Sequence, residues 1–225
     1  MNDDITIYEV GGSLRDELLG KSNVDKDLVA VTSSFENLRQ YIRSTAQKVF
    51  LEKPEFGIIR YLDSDDSPCD ISLAVKKRDD KGHILELGSI ENDLCLRDFT
   101  INAMARKIET GEVFDPFNGK KDIETKTIKT VRSIEETFMA DPVRIIRALR
   151  FKIQLGFEFA HDLSQFLYTN GDFSTLKNIN RERIRQELDK ALAISTHQML
   201  NEIYKMSSSF RDIIFSYFKV RFTCK

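Results

Sequence analysis

The sequence predicts an α/β (α+β) domain in its first half and an all-helical part in its second half. Between residues 5 and 75, short β-branched segments alternate with helical patterns and turns. From Ile134 onward the apolar residues recur at helical spacing instead. The motif DPFNG at 115–119 is a strong turn signal between the two parts. At ~150 residues per domain, this length suits one large domain or two small ones.

The first part is predicted to begin with a strand, a glycine turn and a helix. Residues 5–10 alternate and are β-branched, Gly11 and Gly12 interrupt them, and Gly20 follows a helical pattern at the place of a C-cap. The elements predicted after this turn are a strand at 27–31, a helix at 34–49, and strands at 56–62 and 69–75.

The second part contains a helix whose start is specified by Asp141 and Pro142, with the aspartate as N-cap and the proline in the first turn. Apolar residues follow on one face of this helix, and Arg144, Arg147 and Arg150 follow on another. Further helices are predicted at 160–168, 181–193 and 197–218.

Composition excludes several classes of protein. Hydrophobic residues make up 41% of the chain, which is enough for a sizeable core and excludes a disordered chain. The 34 basic residues nearly balance the 36 acidic residues, so no global positive field exists to hold nucleic acid. Any nucleic-acid binding must use local patches, and residues 141–152 form one, with four basic side chains and one acidic side chain.

The cysteines and the hydropathy pattern predict a soluble cytoplasmic protein. Cys69, Cys95 and Cys224 lie far apart, without a CxxC motif, so we expect free thiols in a reducing compartment and no structural zinc site. The N-terminal segment does not resemble a signal peptide. No apolar run approaches the ~20 residues of a membrane helix.

Two consecutive glycines after the first strand suit the close approach of a ligand. Gly11 and Gly12 let the backbone come near a phosphate, and N–H groups at a helix start favour an anion. Arg15 adds a forked donor of the kind that binds phosphate. A glycine pair before a helix is also common in ordinary turns, so this motif by itself fits both interpretations.

Two carboxylates lie at the start of the second predicted strand. Asp25 and Asp27 are alternate residues, so at a strand edge their side chains point to the same side. Paired carboxylates there can share a hard cation such as Mg²⁺. A lone D-x-D is more often a solvated loop, and the combination with the preceding glycine motif is more specific than either part.

The two motifs together resemble a known family. GGSLRDELLG followed by VDKDLVAV is similar to the head domain of class II tRNA nucleotidyltransferases (CCA-adding enzymes) and bacterial poly(A) polymerases, within the polymerase-beta-like nucleotidyltransferase superfamily. The resemblance continues in order through LRDFTINAMA, DPFNGKKDIETKTIKTVR, FMADPVRIIRALRF and ERIRQEL. It implies a nucleotidyltransferase head with a small mixed sheet, an all-helical neck and a truncated body.

The resemblance implies addition of C and A to the 3′ end of tRNA, from CTP and ATP and without a template. In such a reaction the RNA 3′-hydroxyl attacks the α-phosphate, and two Mg²⁺ ions stabilise the in-line displacement. It assigns Asp25 and Asp27 as metal ligands. Asp70 takes the place of a third carboxylate, which assists deprotonation of the hydroxyl.

Two sequence blocks are implied to hold the triphosphate and the ribose. Their residues are Gly11, Gly12, Arg15, Arg97, Asp98 and Asn102. Asp98 also fits a helix cap, a structural role compatible with the functional one. Leu96 stands where the family usually has a second arginine, so one phosphate contact is expected to be missing.

Asp141 and Arg144 are implied to select the base. They are three residues apart near a helix start, so they share a face. A carboxylate acceptor beside a guanidinium donor satisfies the amino group and ring nitrogen of both cytosine and adenine. Uracil and guanine present the reverse polarity and would leave buried groups unpaired, at about 1–3 kcal/mol each. An N-cap aspartate with a solvated arginine is the simpler reading of this pair alone.

The blocks also predict the domain organisation and the partners. We expect a head at 1–125, a nucleotide-selecting neck at 126–195 with Arg147 as a further nucleotide contact, and a short helical remnant of a body at 196–225. Either a compact enzyme or a fragment would explain so short a body. An apolar stripe predicts a core or a homodimer face; it consists of Phe210, Ile213, Ile214 and Phe218.

Three functions remain open from the sequence. The first is CCA addition to tRNA. The second is an enzyme that adds only A, either a poly(A) polymerase or an A-adding enzyme, because Asp141 and Arg144 serve both. The third is a catalytically weakened RNA-binding or regulatory module, which Leu96 and Ala140 favour, since the family usually has arginine and glutamate at these positions.

Overall fold

A computed structural model of the chain describes residues 5–21 and 26–217, and Asp25 lies outside them. The chain separates into two compact units, Met1–Ile123 and Glu124–Lys225. The division into head, neck and body remnant stays a prediction. The first unit holds most strands, and the second is mainly helical, so the α/β and helical character of the two parts is confirmed.

A seven-stranded mixed sheet forms the centre of the first unit, in the order β3-β4-β5-β2-β1-β8-β9. Its neighbours are antiparallel except for β2 and β5, which run parallel. The strands are β1 (Thr6–Val10), β2 (Lys26–Val31), β3 (Lys48–Lys53), β4 (Ile58–Leu62), β5 (Pro68–Leu73), β8 (Ala105–Lys107) and β9 (Val113–Phe114). A separate hairpin comprises β6 (Val75–Arg78) and β7 (Ile84–Leu87).

One helix covers one face of this sheet. Helix α2 (Phe35–Thr45) begins at Ser34, whose Oγ accepts the backbone N–H of Asn37 at 3.1 Å. Its Leu38 and Ile42 are buried in a cluster with alternate residues of β2, β4 and β5. The members from the strands are Leu28, Ala30, Ile59, Tyr61, Cys69, Ile71 and Leu73. The intervening residues of these strands therefore point to the opposite face.

The short helices of the first unit connect these strands. They are α1 (Gly12–Leu18), α3 (Ile90–Cys95) and α4 (Gly119–Glu124), together with 3-10 turns at Pro54–Phe56 and Thr100–Asn102. The predicted turn at 115–119 is confirmed, because the Asp115 carboxylate accepts the backbone N–H groups of Gly119 and Lys120 at 2.6 and 2.9 Å.

The predicted helix at 34–49 is too long. The helix ends at Thr45, and the chain enters β3, an edge strand that pairs with β4. The register of this pair shifts between Val49 and Leu51. Such a bulge breaks the two-residue alternation by which a strand is predicted, so the apolar residues of β3 fit a helical pattern as well.

The second unit consists of helices around one short parallel strand pair. The helices are α5 (Ile134–Ala140), α6 (Val143–Leu155), α7 (His161–Gln165), α8 (Arg181–Lys205) and α9 (Ser208–Tyr217), and the strands are β10 (Thr127–Ile128) and β11 (Glu158–Phe159). A π-helical turn at Phe166–Asn170 and a 3-10 turn at Ser174–Asn178 follow α7. In the described part of the chain, no helix combines the length and apolar character needed to cross a membrane.

Most helix starts agree with the sequence to within a few residues, but the predicted helix at 197–218 is interrupted, because α8 ends at Lys205 and α9 begins at Ser208. Helix α6 begins one residue later than predicted: Pro142 is its N-cap residue, and Asp141 ends α5. The Asp141 carboxylate still accepts the backbone N–H of Val143 at 3.3 Å. Helix α8 has non-helical backbone angles at Ser195, where the predicted helices 181–193 and 197–218 were separated.

The apolar stripe of α9 lies in the interior of the second unit. Phe210, Ile213 and Ile214 are buried. The Phe210 ring packs edge-on against the Phe173 ring, with 5.0 Å between the ring centroids. Phe218 lies outside the described residues. The three described members of the stripe therefore form core rather than an exposed dimer face.

A buried carboxylate ties α8 to α6. Glu187 is only 7% exposed, and its Oε2 accepts from Arg150 Nε at 2.8 Å. Lys190 donates to its Oε1 at 3.0 Å, and Arg147 Nη1 lies 3.8 Å from that atom. Burial alone raises the pKa of Glu187, but these three cations outweigh it and hold the pKa below its ordinary value.

Glu187→Gln is expected to destabilise the protein by about 1–3 kcal/mol at pH 7, because it removes the buried charge that the arginines need. Since the pKa of Glu187 is lower in the folded state, its stabilisation is complete above the ordinary pKa and is lost as the pH falls through the lowered value. Urea unfolding at several pH values measures this. The difference in unfolding free energy between wild type and variant should narrow as the pH falls below the ordinary glutamate pKa of about 4.5.

The matched control is Glu182→Gln, an exposed glutamate on the same helix, for which we expect a change below about 0.5 kcal/mol. The role of Glu187 would be contradicted if both variants changed the unfolding free energy equally. It would also be contradicted if the difference between wild type and Glu187→Gln increased at lower pH.

Candidate active site

One edge of the seven-stranded sheet gathers most of the predicted site residues of the first unit. Strand β1 runs antiparallel to β2 and β8, and β2 runs parallel to β5. The C-terminal end of β1 therefore lies beside the N-terminal ends of β2, β5 and β8. Gly11 follows β1 at this edge, and Asp27 and Asp70 lie near the starts of β2 and β5.

The glycine turn is shaped by the arginine that passes over it. Gly11 has a φ of +79°, and its N–H donates to the Met104 carbonyl at 3.4 Å. A Cβ at Gly11 would lie 2.9 Å from Nη1 of Arg97. Any other residue would be strained at this φ and would displace the guanidinium. Gly12 is the first residue of α1, and its position is close to the Arg15 guanidinium.

Arg15 is the centre of a buried polar network. Its Nε and Nη2 donate to Asp16 Oδ1 at 2.9 and 2.8 Å, and its Nη1 donates to Asn102 Oδ1 at 2.6 Å. Asn102 in turn donates to Asp98 Oδ1 at 3.0 Å. Arg15, Asp98 and Asn102 are each about nineteen-twentieths buried. The network joins α1 to the 3-10 turn across 87 residues of sequence, which fixes the glycine turn against the LRDFTINAMA block.

Sequence reasoning identified Arg15 but missed its partner. Asp16 follows directly in the sequence, and its carboxylate holds two of the guanidinium nitrogens. The signal was the adjacent acidic residue in LRDELL. Asp98 also accepts the backbone N–H of Phe99 at 2.8 Å. The predicted helix cap at Asp98 is wrong, because the 3-10 turn that follows has Phe99 as its N-cap residue and no side-chain cap. Arg97 is bonded to Asp93 at 3.2 Å, one helical turn earlier.

Two carboxylates lie side by side on the sheet face opposite α2. Asp27 and Asp70 are register partners on the parallel strands β2 and β5, and the buried Leu28 and Ile71 that follow them point to the helix. Arg60 of β4, the register partner of Asp70 on its other side, binds both oxygens of Asp70 at 2.6 and 2.7 Å. Sequence reasoning missed Arg60.

The residues at this edge fit a hard divalent cation. The oxygen donors of aspartate suit Mg²⁺, and two of the three predicted carboxylates are neighbours on one face. The third, Asp25, lies outside the described residues. Among the described residues, no group of three or more His, Cys, Asp or Glu side chains is placed to hold a metal. The metal assignment of Asp25 and Asp27 stays a prediction.

The predicted base-selecting pair lies at the junction of α5 and α6 in the second unit. The Arg144 backbone N–H donates to the Asp141 carbonyl at 3.1 Å, and the Arg144 guanidinium reaches back to the Thr137 carbonyl at 3.5 Å. Asp141 Oδ2 accepts from Arg183 of α8 at 2.7 Å. Arg183 therefore fixes the orientation of Asp141.

Arg150 is largely buried in this unit, and Arg147 is 32% exposed. Both approach Glu187, and both guanidiniums lie over the Phe151 ring, at 5.4 and 4.3 Å from its centroid. Arg150 also donates to Gln154 at 2.7 Å. Arg147 remains a predicted nucleotide contact, whereas Arg150 is mainly a packing residue. Glu187 therefore neutralises part of the positive charge that composition predicts for residues 141–152.

The described residues of the predicted site thus form two groups. Eight of them surround one sheet edge of the first unit: Gly11, Gly12, Arg15, Asp27, Asp70, Arg97, Asp98 and Asn102. Asp141, Arg144 and Arg147 lie at the start of α6 in the second unit.

Comparison with known families and proteins agrees with this arrangement. The family of the poly(A) polymerase head domain matches residues 7–129. A multifunctional CCA protein of Xanthomonas oryzae pv. oryzae is 34% identical over 196 residues, covering 83% of this chain and 45% of that protein. A CC-adding tRNA nucleotidyltransferase of Halalkalibacterium halodurans is 35% identical over 191 residues, covering 85% and 45%. The chain therefore spans about half the length of these relatives.

Solved structures of similar fold carry related names. The CCA-adding enzyme of Thermotoga maritima, in complex with tRNA, matches with a TM-score of 0.77 at 27% identity, covering 97% of this chain and 50% of that chain. The CCA-adding enzyme of Bacillus stearothermophilus, in complex with CTP, matches with a TM-score of 0.72 at 31% identity, covering 84% and 44%. With the head-domain match over more than half of its length, this chain belongs to the class II CCA-adding enzyme and poly(A) polymerase family.

Proposed function

We propose that this chain is a template-independent RNA nucleotidyltransferase that adds C and A to the 3′ end of tRNA from CTP and ATP. The observation that carries the proposal is the shared sheet edge, where the glycine turn, the Arg15 network and the Asp27–Asp70 neighbours lie together. A phosphate-binding turn beside paired carboxylates is what transfer of a nucleotide requires.

The first unit would bind and orient the triphosphate. Gly11 and Gly12 present backbone without side chains, so the phosphates can approach closely. Arg97 lies directly over Gly11 and supplies a positive charge at that position. The buried contacts from Arg15 to Asn102 hold the turn rigid, which reduces the entropy that substrate binding would otherwise cost.

Asp25 and Asp27 would hold magnesium beside the triphosphate. Two Mg²⁺ ions, when bound there, offset the charge that develops on the transferred phosphate and on its attacking and leaving oxygens. Asp70 lies in register with Asp27, and we assign it to accepting the proton of the RNA 3′-hydroxyl. Each Asp70 oxygen keeps a second lone pair beside the one that Arg60 engages.

Asp141 and Arg144 would read the base. The Asp141 carboxylate offers about four acceptor sites, of which Arg183 and the Val143 N–H engage two. Another acceptor site is suited to the exocyclic amino group of cytosine or adenine, and Arg144 to the ring nitrogen acceptor. Arg183 restrains the carboxylate in one orientation, which preserves discrimination even though Ala140 replaces the family's usual glutamate.

A second candidate is partial addition, of CC or of A alone. One of the relatives is a CC-adding enzyme, and the residues described above serve either specificity. The chain matches about half of each relative. Binding of tRNA by this chain is therefore proposed together with the transfer reaction. A tRNA substrate would place the protein in the cytoplasm.

Incubation of the 225-residue chain with a tRNA that lacks its CCA end, Mg²⁺ and each labelled triphosphate tests the proposal. We expect C incorporation with CTP alone, completion to CCA with CTP and ATP together, and none with UTP or GTP. A tRNA that already ends in CCA is the control and should accept nothing.

The other products distinguish the remaining functions. Incorporation that stops at CC indicates partial addition, and incorporation of A on any RNA end indicates poly(A) polymerase activity. Absence of incorporation by a well-folded chain would overturn the proposed transfer and favour a regulatory RNA-binding module.

Asp27→Asn should reduce nucleotide transfer at least about 10³-fold, because the variant loses a charge that neutralises magnesium at the reacting phosphate. Its thermal midpoint should stay close to that of wild type, since Asp27 is exposed. Single-turnover transfer assays and thermal unfolding measure the two quantities. Asp65→Asn, an exposed aspartate in the turn between β4 and β5, should transfer normally; comparable activity of the two variants would contradict the assignment.

Arg144→Ala should relax the choice of base more than it lowers total turnover. Without the guanidinium the ring nitrogen of C or A loses its donor, and the penalty against U and G decreases by about 1–3 kcal/mol, or roughly tenfold to a hundredfold in selectivity. Ratios of kcat/KM for the four triphosphates measure this. Arg185→Ala, exposed on α8, is the control. If the variant still selects C and A over U and G, Arg144 does not recognise the base.

A further inference from the structure

Arg60, Asp70 and Asp27 form a row across three neighbouring strands of the sheet. Arg60 and Asp70 are register partners on β4 and β5, and Asp70 and Asp27 are register partners on β5 and β2. Register partners on adjacent strands point to the same face and lie close together. The sequence predicted both aspartates of this row as site residues but gave no indication of the arginine beside them.

The contact between Arg60 and Asp70 is bidentate. Nε of Arg60 donates to Oδ1 at 2.6 Å and Nη2 donates to Oδ2 at 2.7 Å. This fork-to-fork geometry is the strongest form of an arginine–carboxylate pair. The side chains are 56% and 43% exposed, so the pair is open to solvent and to ions. The carboxylate raises the pKa of the Arg60 guanidinium, first through the hydrogen bond and then through its charge.

A divalent cation and this guanidinium would compete for the same carboxylate. Two neighbouring carboxylates repel each other, and Arg60 offsets that repulsion for Asp70. If a metal bound Asp70 directly, part of the bidentate contact between Arg60 and Asp70 would be lost. The metal would also lie close to the positive charge of Arg60. A metal held by Asp27 and its own neighbours avoids both costs.

We propose that Arg60 is a positioning residue that keeps Asp70 away from the metal and so weakens metal binding at this edge. The inference rests on the proposed function, in which Asp27 binds magnesium. Asp70 then stays ion-paired and oriented beside the metal site, and Asp27 remains the carboxylate on which metal binding depends.

A second surface arginine provides the matched comparison. Arg43 of α2 pairs with Glu52 of β3 at 3.1 Å and is 63% exposed. Glu52 is the register partner of Ile59, a member of the core cluster under α2, so this ion pair lies on the other face of the sheet. Arg43→Gln removes the same charge from the same unit without touching the carboxylate row.

Binding of Mn²⁺ alone, measured by electron paramagnetic resonance of the free ion and displaced by Mg²⁺, tests the inference without an activity assay. Arg60→Gln should lower the apparent Kd about two- to fivefold, because it removes an exposed ion pair of ordinary strength. Arg60→Lys, which keeps the charge but loses the fork, should lower it less. Arg43→Gln should leave it unchanged.

Asp70→Asn provides the decisive background. If Arg60 acts by occupying Asp70, the gain from Arg60→Gln should fall below twofold when Asp70 is already Asn. An equal gain in both backgrounds would show a simple effect of net charge and would overturn the inference. So would an unchanged or weaker affinity in Arg60→Gln, or an equal gain in Arg43→Gln.

Asp27→Asn separates this inference from the proposed function. Wild-type binding that Asp27→Asn removes, together with no response to Arg60→Gln, overturns the role of Arg60 and leaves the metal site intact. Binding that is absent from wild type and from every variant, or that Asp27→Asn does not weaken, overturns the proposed metal site and with it the role of Arg60.

Discussion

The in-register parallel pairing of β2 with β5 is the interaction on which the candidate active site depends. It puts Asp27 beside Asp70 on one face of the sheet and points Leu28, Ala30 and Ile71 at α2 on the other. A slip of one residue would exchange the two faces, placing the carboxylates in the core and apolar side chains at the site. Burial of the apolar residues against α2 therefore fixes the positions of the polar ones.

Charged residues of the site are held by partners of opposite charge rather than left to solvent. Asp16 holds Arg15, Arg60 holds Asp70, and Arg183 holds Asp141, each with an oxygen–nitrogen distance below 3 Å. Such contacts restrict the rotamers of the groups that substrate would meet, and this limits the entropy lost on binding. In the second unit, Glu187 does the same for arginines that composition alone presented as a free basic patch.

Sequence predictions were accurate where the structure depends on neighbouring residues and failed where it depends on distant ones. Local chemistry was predictable: the glycine turn, the start of α2 near Ser34 and the DPFNG turn depend on neighbouring residues. Strand β3 was missed, because its pairing with β4 and the bulge between Val49 and Leu51 are long-range features that hide the alternation. The partners Arg60 and Arg183 were missed for the same reason, since they lie 10 and 42 residues from the carboxylates they bind.

The sequence by itself determined the family, the α/β-then-helical order and the residue types that the chemistry needs, because ordered motifs and local periodicity are properties of the chain. Only the tertiary structure decided which of those residues are neighbours. Asp27 and Asp70 meet through strand register, and Arg15 reaches Asn102 through packing of α1 on the turn before β8. Contacts between distant segments arise from burial of shared apolar faces, and no local pattern encodes which segments will share one.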